Sequence, residues 1–229
     1  MIDTVIFDLD GTLIDSQPAA LGGAIEALAR FGVQVTESEL REQFGGGSRK
    51  IMRYFLERDL SPDDAARAVD EATDLKISLQ ASFTDRVVLL PNVKRLLQRL
   101  EDNRFKLALA TMAARDVVDE VLAFHGIKEH FDVVMTSDEV INVKPDPEIL
   151  TKSVEALSGS VDASLYVGDS THDLEPAASL AMPFLLADTG IFVRGATRAK
   201  LRASAEEKGY PVVGVNELLD IFEIASRIA

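Results

Sequence analysis

The chain has 229 residues, 47% of them hydrophobic and 27% charged, which is enough for a sizeable core and too apolar for a disordered tail. Its formal charge of -14 sets up a field that repels phosphate polymers and anionic lipid, so no nucleic acid and no membrane are expected as general partners. With no cysteine, disulfides and thiolate metal sites are excluded. Apolar runs such as Val87–Leu90 and Pro183–Ala187 fall far short of the roughly 20 residues a spanning helix needs. Met1-Ile2-Asp3-Thr4 shows no basic-then-apolar signal pattern, so a cytoplasmic location is the default expectation.

Taken in chain order, Thr4–Phe7 reads as a short buried strand, and Asp8-Leu9-Asp10-Gly11-Thr12 then switches abruptly to carboxylates and a glycine. From Ser16 to about Phe83 the apolar residues recur at three and four positions, which predicts helices over Ala19–Phe31, Glu37–Phe44, Arg49–Arg58 and Pro62–Ser82. Beyond that stretch, helical and short apolar segments alternate. Val93–Leu100 is helical, Lys106–Ala110 strand, Arg115–His125 helical, Asp132–Met135 strand and Pro147–Leu157 helical. Leu165–Val167 then reads as strand, Leu174–Ala181 as helix and Phe184–Leu186 as strand. Thr197–Gly209 and Glu217–Ile228 read as closing helices. Such alternation predicts an α/β fold, a parallel sheet wrapped by helices. If Thr4–Phe7 belongs to that sheet, the helical stretch is an insertion, with 1–15 and 85–229 as the core and 16–84 as the inserted unit.

Four strand ends carry polar residues. Asp8 and Asp10, two apart at a strand end, can point to one side with Cα atoms about 6–7 Å apart, while Gly11 lets the backbone turn away. A plain turn fits the same pattern. Thr111 ends the strand Leu107–Ala110 at the carboxyl edge where parallel sheets bind ligands, and a helix cap is its ordinary alternative. Lys144 precedes Pro145-Asp146-Pro147, a stiffened segment leading into a helix, although judged alone it is an exposed lysine. Asp169 and Asp173, directly after Val167-Gly168, can face each other across one helical turn, or one of them can be a cap. Four independent caps in this order explain the pattern poorly.

These motifs, Asp8-Leu9-Asp10-Gly11-Thr12-Leu13, Thr111, Lys144-Pro145-Asp146-Pro147 and Gly168-Asp169-Ser170-Thr171-His172-Asp173, resemble the haloacid dehalogenase-like hydrolase superfamily. The resemblance covers essentially the whole chain. It is to the branch with a helical cap inserted after the first motif, which contains phosphoglycolate phosphatases, pyrophosphatases of similar size and beta-phosphoglucomutase. It implies a doubly wound, Rossmann-like core and a Mg²⁺-dependent phosphatase that passes a phosphoryl group through an aspartyl-phosphate. By the family pattern Asp8 is the nucleophile and Asp10 the acid and base, Thr111 and Lys144 hold the phosphoryl oxygens, and the Mg²⁺ site comprises Asp8, Asp10 through its backbone carbonyl, and Asp169, with Asp173 either a further ligand or a support to the others. Two departures are Met112, where many relatives carry asparagine, and Ala181-Met182 in place of a frequent Ala-Gly.

Substrate choice is expected in the inserted unit, where Gly46 and Gly47 let the backbone approach a ligand and Arg49 can pair with a carboxylate or second phosphate. A solvated loop is the plain alternative, and Lys76 is a weaker candidate. The expected partner is a small phosphorylated metabolite handled by a monomer or homodimer. Phosphoglycolate comes first, then pyrophosphate, then sugar phosphates and nucleotides. A mutase is disfavoured because Pro18, Ala19 and Ala20 stand where such relatives carry histidine. A non-enzymatic phospho-accepting receiver is disfavoured by the length, the inserted unit and the second aspartate.

Overall fold

The computed structural model describes residues 2–43 and 47–227. In chain order it comprises β1 (Thr4–Phe7), β2 (Ile14–Asp15), α1 (Gln17–Arg30), α2 (Glu37–Glu42), α3 (Ser48–Asp59) and α4 (Pro62–Ser82). There follow β3 (Val88–Leu89), α5 (Val93–Asp102), β4 (Lys106–Ala110), α6 (Arg115–His125), β5 (Val133–Met135) and α7 (Glu148–Ala156). The chain closes with β6 (Ser164–Gly168), α8 (Thr171–Ser179), β7 (Phe184–Asp188), α9 (Gly195–Glu207), β8 (Val212–Gly214) and α10 (Asp220–Arg227). Two compact units result, Met1–Asp15 with Leu89–Ala229, and Ser16–Val88. The crossing at 88/89 lies four residues past the 84/85 read from sequence, because the short turn Thr84–Arg86 packs on α1.

The larger unit is built on a six-stranded sheet of order β5-β4-β1-β6-β7-β8, with every pairing parallel. The chain runs outward from β1 through β4 to β5, then returns to the other side of β1 for β6, β7 and β8. The order therefore reverses at β1, the kind of switch point where open parallel sheets bind ligands beyond their carboxyl ends. All four residues of β1 are buried, as expected for a central strand covered on both faces, which is why Thr-Val-Ile-Phe shows no alternation. On one face Ile6, Ala108, Tyr166, Phe184 and Leu186 pack with Leu150, Val154, Leu174 and Leu201 from the covering helices. Register aligns Phe7 with Leu109 on one neighbour and Val167 on the other. The residues that follow all three strands consequently emerge side by side.

The smaller unit, described by itself, is all helical apart from the crossings. Leu21, Leu28, Leu40, Met52, Phe55, Leu56 and Val69 form its core. Ser61 opens α4 by accepting the Asp64 N–H at 3.2 Å, with Pro62 in the first turn. Among the described residues no helix is long and apolar enough to cross a membrane.

Three short strands lack a sequence signal. β2 and β3 are two residues each and pair with one another, and Val212–Gly214 extends the sheet through Leu186–Val212 and its neighbours. The helix expected at Leu174 begins instead at Thr171, because Ser170 and Asp173 close its first turn through side-chain bonds. Leu109, fully buried in β4, offers a check on the core. Leu109→Ala should lower the unfolding free energy by about 2–5 kcal/mol, read as a shifted midpoint in urea denaturation; a loss under about 1 kcal/mol would contradict this packing.

Candidate active site

The sheet edge gathers Asp8 from β1, Thr111 from β4 and Asp169 from β6, and Lys144 joins them from the segment before α7. Asp8 follows β1 and stays in the ladder, its N–H donating to the Val167 carbonyl at 2.9 Å. Its carboxylate is 8% exposed. Lys144 is 6% exposed and its ammonium donates to Asp8 Oδ1 at 2.7 Å, to the Ala110 carbonyl at 2.9 Å and to Asp173 Oδ1 at 2.9 Å. Those three bonds use all three of its protons, so the exposed-lysine reading is set aside. The Lys144–Pro145 peptide is cis.

Asp173 has both oxygens engaged. Oδ1 accepts Lys144 and the Tyr166 hydroxyl, the latter at 2.6 Å, while Oδ2 accepts the Ser170 N–H at 3.1 Å and the Ser170 hydroxyl at 2.6 Å. It is thus both the capping acid of α8 and the second counter-charge of Lys144. Asp169 is not a cap: it is 6% exposed, and its Oδ2 is buried with no hydrogen-bond partner among the described residues. Thr111 is buried and does not cap α6, whose N-cap is Ala114. Its hydroxyl accepts the Ala113 N–H at 3.2 Å, so its own O–H remains a donor. Asp10 is half-buried and bridges to Ile14 across the turn at Gly11. That turn needs glycine: φ is +86°, and an added Cβ would collide with Asp169 Oδ2. Met112 takes up the vacated asparagine position with its thioether, accepting the Lys144 backbone N–H at 3.3 Å.

Electrostatics follow from four carboxylates sharing one ammonium. Burial, opposed by Lys144 and reinforced by Asp173 and Asp10, raises Asp8 to about 7. Burial, then repulsion from Asp8, Asp173 and Asp10, raises Asp169 to about 9. Burial alone would lower Lys144, but Asp8 and Asp173 outweigh it and hold the ammonium above the ordinary lysine value. Burial would likewise raise Asp173, but Lys144 with the Ser170 and Tyr166 bonds outweighs it, and Asp173 titrates below the usual carboxylate range. Tyr166 is held well above its ordinary value by burial and Asp173, so it remains a donor.

This donor set suits a hard divalent cation. One oxygen from each of Asp8, Asp169 and Asp173 lies within 4.8 Å of the others, all three residues are buried, and oxygen is the ligand such ions select. The lone Oδ2 of Asp169 is the atom most in need of a cation. Asp173, saturated by its own bonds, fits better as an orienting partner than as a ligand.

The sites read in the helical unit fare differently. Gly46 lies outside the described residues. Gly47 is the N-cap of α3 with φ +79°. Arg49 is paired with Asp70 at 2.8 Å and its side chain is 53% exposed, so its charge already has a partner. Lys76 is the contrasting group. It is 8% exposed, bonded to the neutral oxygens of Ser48 (3.0 Å) and Gln80, and lowered by burial; no carboxylate pairs with it among the described residues. Tyr166 was missed from sequence. Its one signal is an aromatic hydroxyl inside an otherwise aliphatic strand directly before Gly168-Asp169.

The model of the haloacid dehalogenase-like hydrolase family matches residues 5–187. The chain belongs to the haloacid dehalogenase-like hydrolases. Among curated relatives, a phosphoglycolate phosphatase of Vibrio cholerae is 34% identical over 186 residues, covering 76% of this chain and 78% of the relative. The pyrophosphatase PpaX of Bacillus mycoides is 31% identical over 173 residues, covering 76% and 77%. Solved structures share the fold. One is described as a predicted phosphoglycolate phosphatase from Haemophilus somnus 129pt (TM-score 0.79, 21% identity, 97% of each chain). Another is a beta-phosphoglucomutase from Clostridium difficile (TM-score 0.67, 20% identity, 100% of this chain and 97% of that one). The haloacid dehalogenase-like chain is therefore an enzyme of hydrolase type.

The buried Asp169 has a stability consequence with a definite sign. Its pKa is about 9 folded against 3.8 ordinarily, so between those values the unfolded chain binds fewer protons and stability falls as pH rises. Asp169→Asn removes that penalty. In EDTA its melting temperature should exceed that of wild type, with a gap that widens from pH 5 to pH 9 to at least about 2–4 °C, the shift 1 kcal/mol gives a chain of this size. Calorimetry showing a gap that does not change with pH would remove Asp169 as its source.

Proposed function

We propose that the chain is a magnesium-dependent phosphatase of a small phosphorylated metabolite, working through an aspartyl-phosphate on Asp8, with phosphoglycolate as the first substrate. The observation that carries this reading is the pairing of a buried Asp8, its Oδ1 held by Lys144 at 2.7 Å, with a neighbouring Asp169 whose Oδ2 has no hydrogen-bond partner among the described residues. That is a nucleophile with a fixed cation beside a carboxylate that calls for a second one.

In the proposed reaction an Asp8 carboxylate oxygen attacks phosphorus. The bond from phosphorus to the leaving oxygen breaks, and Asp10 gives that oxygen its proton. Water then attacks the phosphorus of the aspartyl-phosphate, Asp10 recovers a proton from it, and the Asp8–phosphorus bond breaks to release phosphate. Lys144 opposes the burial that raises Asp8 and balances the incoming phosphoryl charge, and the Thr111 hydroxyl donates to a phosphoryl oxygen. Asp173 and Tyr166 fix Lys144. A Mg²⁺ ion held by Asp8, Asp169 and the Asp10 carbonyl would neutralise phosphoryl charge.

The substrate reading is supported by the phosphatase names of the relatives and by Lys76, a buried ammonium with no carboxylate partner among the described residues, which favours a metabolite carrying a second anionic group. Phosphoglycolate and pyrophosphate both meet that condition. The net charge of -14 supports a small-molecule partner over nucleic acid or membrane, met by a monomer or homodimer in the cytoplasm.

Phosphate release would be followed from phosphoglycolate, pyrophosphate, sugar phosphates, nucleotides and an aryl phosphate, with Mg²⁺ or EDTA. Release should need Mg²⁺, be greatest with phosphoglycolate, and fall at least about 10³-fold in Asp8→Asn. Unchanged release in Asp8→Asn would overturn the mechanism, and pyrophosphate leading the panel would replace the substrate. Lys76→Met should raise KM for phosphoglycolate about tenfold, roughly the cost of one charged hydrogen bond, with the aryl phosphate KM within about twofold of wild type; an equal rise for both would remove Lys76 from substrate choice.

A further inference from the structure

A further strand end, that of β7, reaches the same edge of the larger unit. β7 closes on Asp188, which is 7% exposed and clamped by two arginines. Arg198 Nε donates to Oδ1 at 2.5 Å and Arg202 to Oδ2 at 3.1 Å, while a second Arg198 nitrogen donates to the Asp188 carbonyl at 2.9 Å. The clamp sets the direction in which the chain leaves the sheet. The next residue, Thr189, donates its hydroxyl to the Gly11 carbonyl at 2.6 Å, and the Thr189 hydroxyl oxygen in turn accepts the Ile191 N–H at 3.5 Å. Three residues past Thr189, Phe192 lies against Gly11 so closely that a Cβ added to the glycine would stand 2.9 Å from its ring.

Gly11 carries the turn that follows Asp8 and Asp10, and its carbonyl belongs to the peptide joining it to Thr12. Thr12 is fully buried, and its hydroxyl points back at the nucleophile, donating to Asp8 Oδ2 at 3.4 Å. The Thr12 N–H of that same peptide is tied to the Leu9 carbonyl at 3.3 Å. The Gly11–Thr12 peptide is thereby held from its own turn on one side and from the segment after β7 on the other. A left-handed glycine has a wide choice of conformations, so a bond from outside the turn contributes most where the turn itself restrains least.

We infer that Thr189 is a positioning residue for Asp8. Its hydroxyl fixes the Gly11–Thr12 peptide, and through Thr12 it fixes the side of the carboxylate that Lys144 does not hold. Lys144 restrains Oδ1 and Thr12 faces Oδ2, so the aim of the attacking carboxylate depends on both. Thr189 touches no reacting atom. A misplacement of about 1 Å at such a point costs up to about 10²-fold in rate, and the loss appears in kcat because the ground-state contacts of the substrate are untouched. The inference rests on Asp8 being the nucleophile.

The experiment compares wild type, Asp8→Asn, Thr189→Val and Thr189→Ser at saturating Mg²⁺. It measures kcat and KM on the best substrate of the panel, and beryllofluoride binding by fluorine NMR. Thr189→Val should lose about tenfold in kcat with KM within about twofold, and bind beryllofluoride about tenfold more weakly. Thr189→Ser, which keeps the hydroxyl, should stay within about twofold of wild type in all three. Should Thr189→Val fail to fold, Thr189→Ala carries the same expectation. An active wild type and an inert Asp8→Asn leave the underlying reading standing. In that case a Thr189→Val enzyme with wild-type kcat, or a Thr189→Ser enzyme as impaired as Thr189→Val, overturns the role of Thr189 alone. A wild type inert toward every ester and toward beryllofluoride removes the reading beneath the inference, and the inference with it.

Discussion

A single ammonium buried among four carboxylates is the constraint on which the rest of the larger unit turns. Lys144 is 6% exposed, and desolvating an ammonium is so costly that it survives only with close counter-charges and every proton bonded. Asp8, Asp173 and the Ala110 carbonyl meet that demand. The supply of negative charge nevertheless exceeds the demand. Asp8 is raised to about 7 and Asp169 to about 9, so the protein alone does not balance this edge. Removing Lys144 would leave the carboxylates facing one another, whereas adding a cation relieves them. A site poised in this way suits the proposed reaction, which would bring a metal ion and an anion to it together.

Strand order is what assembles these groups. Asp8, Thr111 and Asp169 are more than a hundred and sixty positions apart from first to last, yet the reversal at β1 sets them on adjacent strands at one level. Phe7 lies level with Leu109 and Val167. Parallel pairing keeps all the carboxyl ends on one edge. Tyr166 shows how core and site are coupled, since its ring packs with Phe184 (ring centroids 5.9 Å apart) while its hydroxyl holds Asp173 at 2.6 Å. A packing fault under that ring would be transmitted to Lys144 within two contacts.

Much of this was legible in the sequence, and the reasons are specific. Pro62–Ser82, Lys106–Ala110 and Arg115–His125 were read at the limits the structure gives them, since each has strong periodicity or a sharp boundary at glycine, proline or a polar run. Val212–Gly214 escaped because three residues carry too little pattern to separate a strand from a loop. The carboxylates, Thr111 and Lys144 announced themselves by following apolar strands. Arg49 and Lys76 could not be ranked from sequence, because what distinguishes them is partnership: Asp70 compensates the exposed Arg49, and among the described residues only neutral oxygens meet the buried Lys76. The Asp173 bonds were equally hidden, since Ser170 and Tyr166 reach it only once the strand and helix are folded.

The position of β1 in the sheet also bears on how the protein is made. Thr4 pairs with Lys106 and with Ser164, so β1, once it leaves the ribosome, waits for more than a hundred residues before one neighbour exists, and for some sixty more before the other does. Contacts of such separation are slow to form, and an apolar strand kept waiting is open to wrong partners. Asp3 stands on one side of Thr-Val-Ile-Phe and Asp8 and Asp10 on the other. Charges flanking an unavoidable hydrophobic strand discourage its stacking with other chains. The aspartates proposed for catalysis in the finished enzyme thus guard the nascent strand against aggregation, long before there is a site for them to serve.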